Sequence, residues 1–297
     1  MGRSKARMPK RTHTKPSAPT RDELAQIYGR FNPDRLWATL FAAASSPAAR
    51  HRATSVGVAL AASLRASSIT NGSSREPLPD IQELVDAAAE SKGIGVMHED
   101  YISTDPTNVA TVRVGDELLH YVPGLVERPI ADLSRALRLA DAVDDRLVRR
   151  HKFGIANVVR VALRYVDYCL NTLQPEWQPA PDIELGDKID VPVNELDAAS
   201  RLVSMDPLES LQLDQADLLA LEWMTSPAAS AKYNHESPTS PFGRTLRYRL
   251  AMPDQRYRWL PPTYVPEILA HAVTELVDGL ERDSHARRRC QGVEATW

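Results

Sequence analysis

Hydrophobic positions in this chain recur mostly every three or four residues, and the polar residues between them carry the punctuation of helix ends. Thr20-Arg21-Asp22-Glu23 is a capping-box sequence ahead of Leu24, Ile27, Tyr28 and Phe31, and predicts a first helix. Asn32-Pro33 supplies an N-cap and a first-turn proline for a second, carrying Leu36, Trp37, Leu40 and Phe41. Ser46-Pro47 opens a longer Ala-rich helix to about Ser68, and Asp80 to Ser91, closed by Gly93, is a fourth. Further helices are predicted from Pro129 to about Arg150, Gly154 to Leu173, Asn194 to Ser204, Asp214 to Met224 and Pro266 to about Arg282. The Gly154 to Leu173 segment places Ile155, Val158, Val159, Ala162, Leu163, Val166, Leu170 and Leu173 on one side, with Val161, Tyr165 and Tyr168 on other faces. A helix apolar on more than one face is predicted to be central to the core.

The period changes to two in two places. Val109 to Val114 and Glu117 to Val122 flank Gly115-Asp116, a pair suited to a two-residue hairpin turn. Arg244-Thr245-Leu246-Arg247-Tyr248-Arg249-Leu250 and Arg256-Tyr257-Arg258-Trp259-Leu260 form the second such pair. The fold class expected is therefore mainly α (α+β), with multi-helix domains and two short antiparallel β-hairpins. Residues 175–192 are rich in proline and acid and read as a linker. It divides a helical domain over 20–174, with its hairpin near 109–122, from a smaller α+β domain over 193–285, with its hairpin near 244–260. Residues 1–19 and 286–297 are expected to be disordered tails.

Charge sharpens this organisation. Arg3, Lys5, Arg7, Lys10, Arg11 and Lys15 give the first twenty residues +6 with no acid, so the remainder carries −9 of the net −3. Such an arm buries too little apolar surface to offset its own ordering. The 29 arginines against 7 lysines are a bias of the whole chain, so arginine number alone says little about nucleic acid. Two cysteines, Cys169 and Cys290, make neither a disulfide framework nor a zinc site, and suggest a reducing compartment. The longest apolar stretch, near Val56 to Leu64, is far short of the ~20 residues of a membrane span. No signal-peptide core follows the basic N-terminus, and a cytoplasmic protein without a membrane partner is expected.

The second hairpin holds the clearest candidate chemistry. Arg244, Arg247, Arg249, Arg256 and Arg258 meet one acid there, Asp254. Strict alternation is expected to project Arg247, Arg249, Arg256 and Arg258 to one side and to turn Leu246, Tyr248, Leu250, Tyr257 and Trp259 toward the core. Four arginines on a stiff ribbon could each contact a phosphate. The commoner use of such charge is to keep a sheet edge from pairing with other chains.

Two weaker constellations point to catalysis. Asp141 and Asp145 stand at i and i+4 with Asp144 beside them, a spacing that can hold magnesium and a diphosphate when a second acidic helix lies opposite, as in prenyl-transfer enzymes. Arg138 and Arg149 are placed to neutralise them instead. Arg146 and His151 have a spacing similar to the Arg-x-His motif of small helical RNases. Arg7/His13 and Arg113/His120 fall at the other two spacings the motif allows, and chance supplies roughly two to three such pairs in a chain of this composition. No phosphate-cradling glycine loop, nucleophile elbow or Cys-x-x-Cys occurs, and no cofactor is expected. The expected function is a non-enzymatic helical protein docking to a protein or nucleic-acid partner through the basic hairpin and tail, as an accessory part of a larger assembly. The alternative is a phosphate-handling enzyme, a helical RNase or a magnesium-dependent one.

Overall fold

A computed structural model describes residues 21–45, 53–69, 76–91, 110–114, 117–121, 137–138, 141–173, 189, 191, 193–231, 242–251 and 256–280. The fold is mainly helical with a small sheet, as the hydrophobic periodicity predicts. Among the described residues the helices are α1 (Arg21–Tyr28), α2 (Pro33–Ser45), α3 (Ala53–Ile69), α4 (Ile81–Ser91), α5 (Asp144–His151), α6 (Ile155–Leu173), α7 (Val193–Ser204), α8 (Gln215–Trp223) and α9 (Val265–Asp278). Strands β1 (Ala110–Val114) and β2 (Glu117–Tyr121) pair antiparallel in the register Val112 to Leu119, which matches the hairpin expected around Gly115-Asp116. The basic tail of residues 1–19, the linker apart from residues 189 and 191, and the 286–297 tail lie outside the described residues.

Local caps set most boundaries. Asn32 accepts through Oδ1 from the backbone N–H groups of Asp34 (3.0 Å) and Arg35 (3.1 Å), and Pro33 occupies the first helical position of α2. Asp214 and Asp217 form a reciprocal capping box at α8. The helix expected from Pro129 to Arg150 is interrupted: Leu137, Arg138 and Asp141 are helical, residues 142–143 form a turn and α5 begins at Asp144. Lys152 ends it in the left-handed conformation, φ 66°. The Asp144 carboxylate then accepts from the N–H of Ile155 (2.7 Å), and it lies so close to Gly154 that a Cβ there would sit 2.5 Å from Oδ1. One acid of the 141–145 cluster is thus spent on opening α6, and only glycine fits beneath it.

The expected linker does not separate two cores. α2 packs on α7, and the 3₁₀ turn Ala228–Ser230 packs on α3. α6 packs on α7, α8 and α9. Tyr165 of α6 donates to the carbonyl of Leu260 (2.7 Å) and stacks on Trp259 at 4.8 Å between centroids. Leu40, Leu60, Val85, Val158, Leu221, Leu246 and Val273, from both sides of the proline-rich stretch, belong to one apolar cluster. The helical signal of each half matches the helices observed; α1, α3 and α4 pack on one another within the first half, while α2, α3 and α6 also meet elements of the second.

The second sheet has three strands in the order β3 (Thr225–Pro227), β4 (Arg247–Arg249) and β5 (Tyr257–Trp259). β3 runs parallel to β4, and β4 antiparallel to β5. The hairpin near 244–260 is therefore present, with a neighbour strand that the sequence pattern did not announce.

Candidate functional site

The expectation for the basic ribbon fails on register. Arg247 faces Trp259, Tyr248 faces Arg258 and Arg249 faces Tyr257 across the two strands. Directly opposed residues share a face, so Arg247 and Arg249 lie with the rings of Tyr257 and Trp259, while Arg258 lies with Tyr248 on the other face. A shift of one residue in pairing would have put the arginines of both strands together. The observed register has the opposite parity, and the single basic ridge does not form.

Each of the five arginines also has a carboxylate partner, the five sharing Asp34, Glu222 and Glu275. Arg247 and Arg258 are each only 4% exposed. Arg247 donates from Nε to Thr225 Oγ1 (2.9 Å), lies 3.5 Å from Glu222 and stacks over the rings of Tyr257 (3.9 Å) and Trp259 (5.2 Å). Burial lowers its pKa, against the opposing pull of Tyr257, Asp206 and Glu222. Arg258 pairs with Asp34 at the start of α2 and so ties β5 to the first part of the chain. Arg249 pairs with Glu222 at 2.5 Å, and Arg256 lies 3.7 Å from Asp34. Arg244 pairs with Glu275 of α9, donates to the Trp223 carbonyl (3.0 Å) and covers the Trp223 ring at 4.3 Å. Arg249 and Arg256, the two with substantially exposed side chains, have opposite parity in the ribbon and lie on opposite faces. These are braces between elements.

The catalytic candidates are likewise dispersed. Arg146 and His151 are five residues apart on α5, about 140° around the helix. Arg146 lies 4.0 Å from Asp145, whereas His151 packs by its ring on Phe153 at 5.5 Å. Burial, then the neighbouring cations Arg150 and Arg244, lower the His151 pKa. Asp145 meets Arg149 at 3.6 Å in the expected i,i+4 pair. Among the described residues no three His, Cys, Asp or Glu side chains gather as a metal site. Cys169 is buried and its thiol is pushed up to about 12. No helix among the described residues is long and apolar enough to cross a membrane.

The surface that does stand out was missed. α6 buries Val158, Val161, Ala162, Tyr165 and Cys169, a stripe at spacings of three and four. Leu163 and Leu170, grouped in the sequence with the inward positions, are instead 59% and 46% exposed. They continue through half-buried Val159 and Val166 into a second apolar stripe along the same helix. At its N-terminal end the stripe forms one wall of an open groove of about 540 Å³, whose lining includes Leu137, Asp141, Ala156, Val159, Arg160 and Leu163.

Polar residues hold this wall rigid. Asp217 is 1% exposed and accepts from Asn157 Nδ2 (2.9 Å) and from Arg160 Nη1 (3.0 Å), while Asp214 accepts from the same nitrogen at 3.2 Å. Arg164 donates to the carbonyls of Leu211 (3.0 Å) and Gln212. The groove and stripe can accept an apolar surface, with charge available only at the margin. A second hollow, lined by Trp37, Phe41, Tyr168, Met205, Tyr257 and Trp259 among others, has about 10 Å³, enough for roughly one water. The sequence signal for the outer stripe was the count of apolar positions in α6, too many for one face of a helix.

These features define a mainly helical protein with an open apolar helix face. No family model, curated protein or solved structure matches the chain.

Proposed function

We propose that this chain is a non-catalytic helical protein that docks to a protein partner along the outward face of α6. The observation that carries this reading is the exposure of Leu163 and Leu170 on the same stripe as Val159 and Val166, on a helix whose adjoining stripe of Val158, Val161, Ala162, Tyr165 and Cys169 is buried. Isolated surface leucines are ordinary, but a contiguous apolar stripe beside a groove marks a contact surface. The nucleic-acid version of docking loses its support with the hairpin arginines, which are paired to Glu222, Asp34 and Glu275. The enzymatic alternative lacks a concave setting: neither Arg146 nor His151 lines the groove, and Asp141 does so without Asp145.

Photo-crosslinking tests the reading. A photoreactive residue at position 163, in the full chain within a lysate of the source cell, is expected to give a discrete protein adduct that Leu170→Glu suppresses. The same residue at position 249 is expected to give none. Equal adducts from both positions, or none from position 163, would overturn the proposal.

A further inference from the structure

Resting on that reading of the α6 face, we infer that its occupant is a second copy of this chain, with the two α6 helices paired antiparallel. The outer stripe follows a strict spacing of three and four: Ala156, Val159, Leu163, Val166 and Leu170. That is the seam of a two-helix pairing, in which apolar residues repeat every 3.5 positions. Its charged flank distinguishes the possible orientations. Arg160 and Asp167, seven residues apart, occupy the same edge of the stripe, one toward each end.

An antiparallel mate with its two-fold axis between positions 164 and 165 sets Leu163 against Val166 of the other copy and Val159 against Leu170. It also brings Arg160 of each copy to Asp167 of the other, twice by symmetry. A parallel, in-register mate puts this edge of each copy on opposite sides of the seam, so that Arg160 of one copy meets no Asp167 of the other. Charge complementarity therefore selects the antiparallel form. Asp167 is exposed and has no ion pair among the described residues. The Arg160 side chain is 41% exposed despite its bonds to Asp214 and Asp217. An isologous contact of this kind is self-complementary and closes as a dimer. From Ala156 to Leu170 the seam spans about 21 Å. A seam that short belongs with the smaller interfaces, so the pairing is weak and concentration-dependent.

Sedimentation velocity on the purified full chain, from about 1 to 300 µM, reads the pairing in the range expected for a small interface. The wild type is expected to shift from monomer to dimer. Leu163→Glu, at an exposed position, is expected to stay monomeric at every concentration with an unchanged circular dichroism spectrum. Asp167→Arg, which sets arginine against Arg160 of the mate, is expected to weaken the dimer at least several-fold.

Orientation is read by oxidation of mixed chains in a Cys290→Ser background, one bearing Leu163→Cys and one Val166→Cys. The heterodimer is expected to exceed either homodimer. A wild type that stays monomeric throughout, or homodimers in excess, overturns the inference. A monomer whose position 163 still crosslinks to a protein of another mass would refute self-pairing while leaving the docking face standing; a monomer with no adduct at all would refute both.

Discussion

The β4–β5 ribbon carries five arginines, each tied to a carboxylate and two of them buried, whereas α6, a helix at the centre of the core, leaves two leucines open to water. Five guanidinium groups of the ribbon share three carboxylates, Asp34, Glu222 and Glu275, each contributed by a helix packed nearby. α6 buries one apolar stripe and leaves Leu163 and Leu170 of the adjoining one 59% and 46% exposed. The difference shows that a feature's conspicuousness in sequence and its availability at the surface are separate properties. Charge is cancelled by partners far away in the chain; Arg258 and Asp34 are 224 positions apart. An apolar stripe is consumed only if the fold supplies a second face to meet it.

The largest effect that can sharpen this contrast lies behind α6. Asp217→Ala removes a buried carboxylate and strands Asn157 and Arg160. It is expected to cost about 3 kcal/mol in urea unfolding, less than a fully enclosed pair because Arg160 reaches solvent. On the ribbon, Glu222→Ala leaves Arg247 buried without its carboxylate and is expected to cost about 2 kcal/mol by the same measurement. Arg258→Met tests the ribbon from the other side. Its Nε is buried without a hydrogen-bond partner and Asp34 is half exposed, so an apolar replacement is expected to fall within about 1 kcal/mol of wild type, in either direction. A ribbon built to bind polyanions would instead show a loss of oligonucleotide anisotropy in Arg249→Ala with Arg256→Ala; no change is expected, because the two side chains lie on opposite faces.

The smallest effect concerns pH. Burial and two cations hold the His151 pKa below its ordinary value of 6.5, so the unfolded chain binds that proton more tightly than the folded one. The stability this contributes is complete above the unfolded value and declines as pH falls through it toward the folded value. His151→Gln is expected to flatten the fall in thermal midpoint between about pH 7.5 and 5.5 by a small amount, and an identical fall in wild type and variant would remove His151 from the account.

Signals confined to a few neighbouring residues were legible in the sequence. Asn32-Pro33 caps α2 because an Asx side chain reaches N–H groups two and three residues ahead, which needs no knowledge of the fold. The same holds for Asp214 at the start of α8, and for the pairing of β1 with β2. What depended on partners was not legible. Alternation correctly marked Arg247–Arg249 and Tyr257–Trp259 as strands, but the pairing register that decides which face each arginine takes is a property of neither strand alone. Asp144 looked like one of three clustered acids, and its use as the cap of α6 required Lys152 to turn the chain back through a left-handed residue. In α6, Val158 and Leu163 were equally apolar by sequence, and only the positions of α7, α8 and α9 decided that one is buried and the other exposed.

The central claim is that contact with a partner runs through the outer face of α6 and not through the arginine-rich ribbon. Carbene footprinting of the full chain at low and high protein concentration reads both surfaces in one digest. Labelling within 156–170 is expected to fall as concentration rises while labelling within 244–260 stays constant; protection that grows on the ribbon and leaves Leu163 and Leu170 unchanged would contradict it.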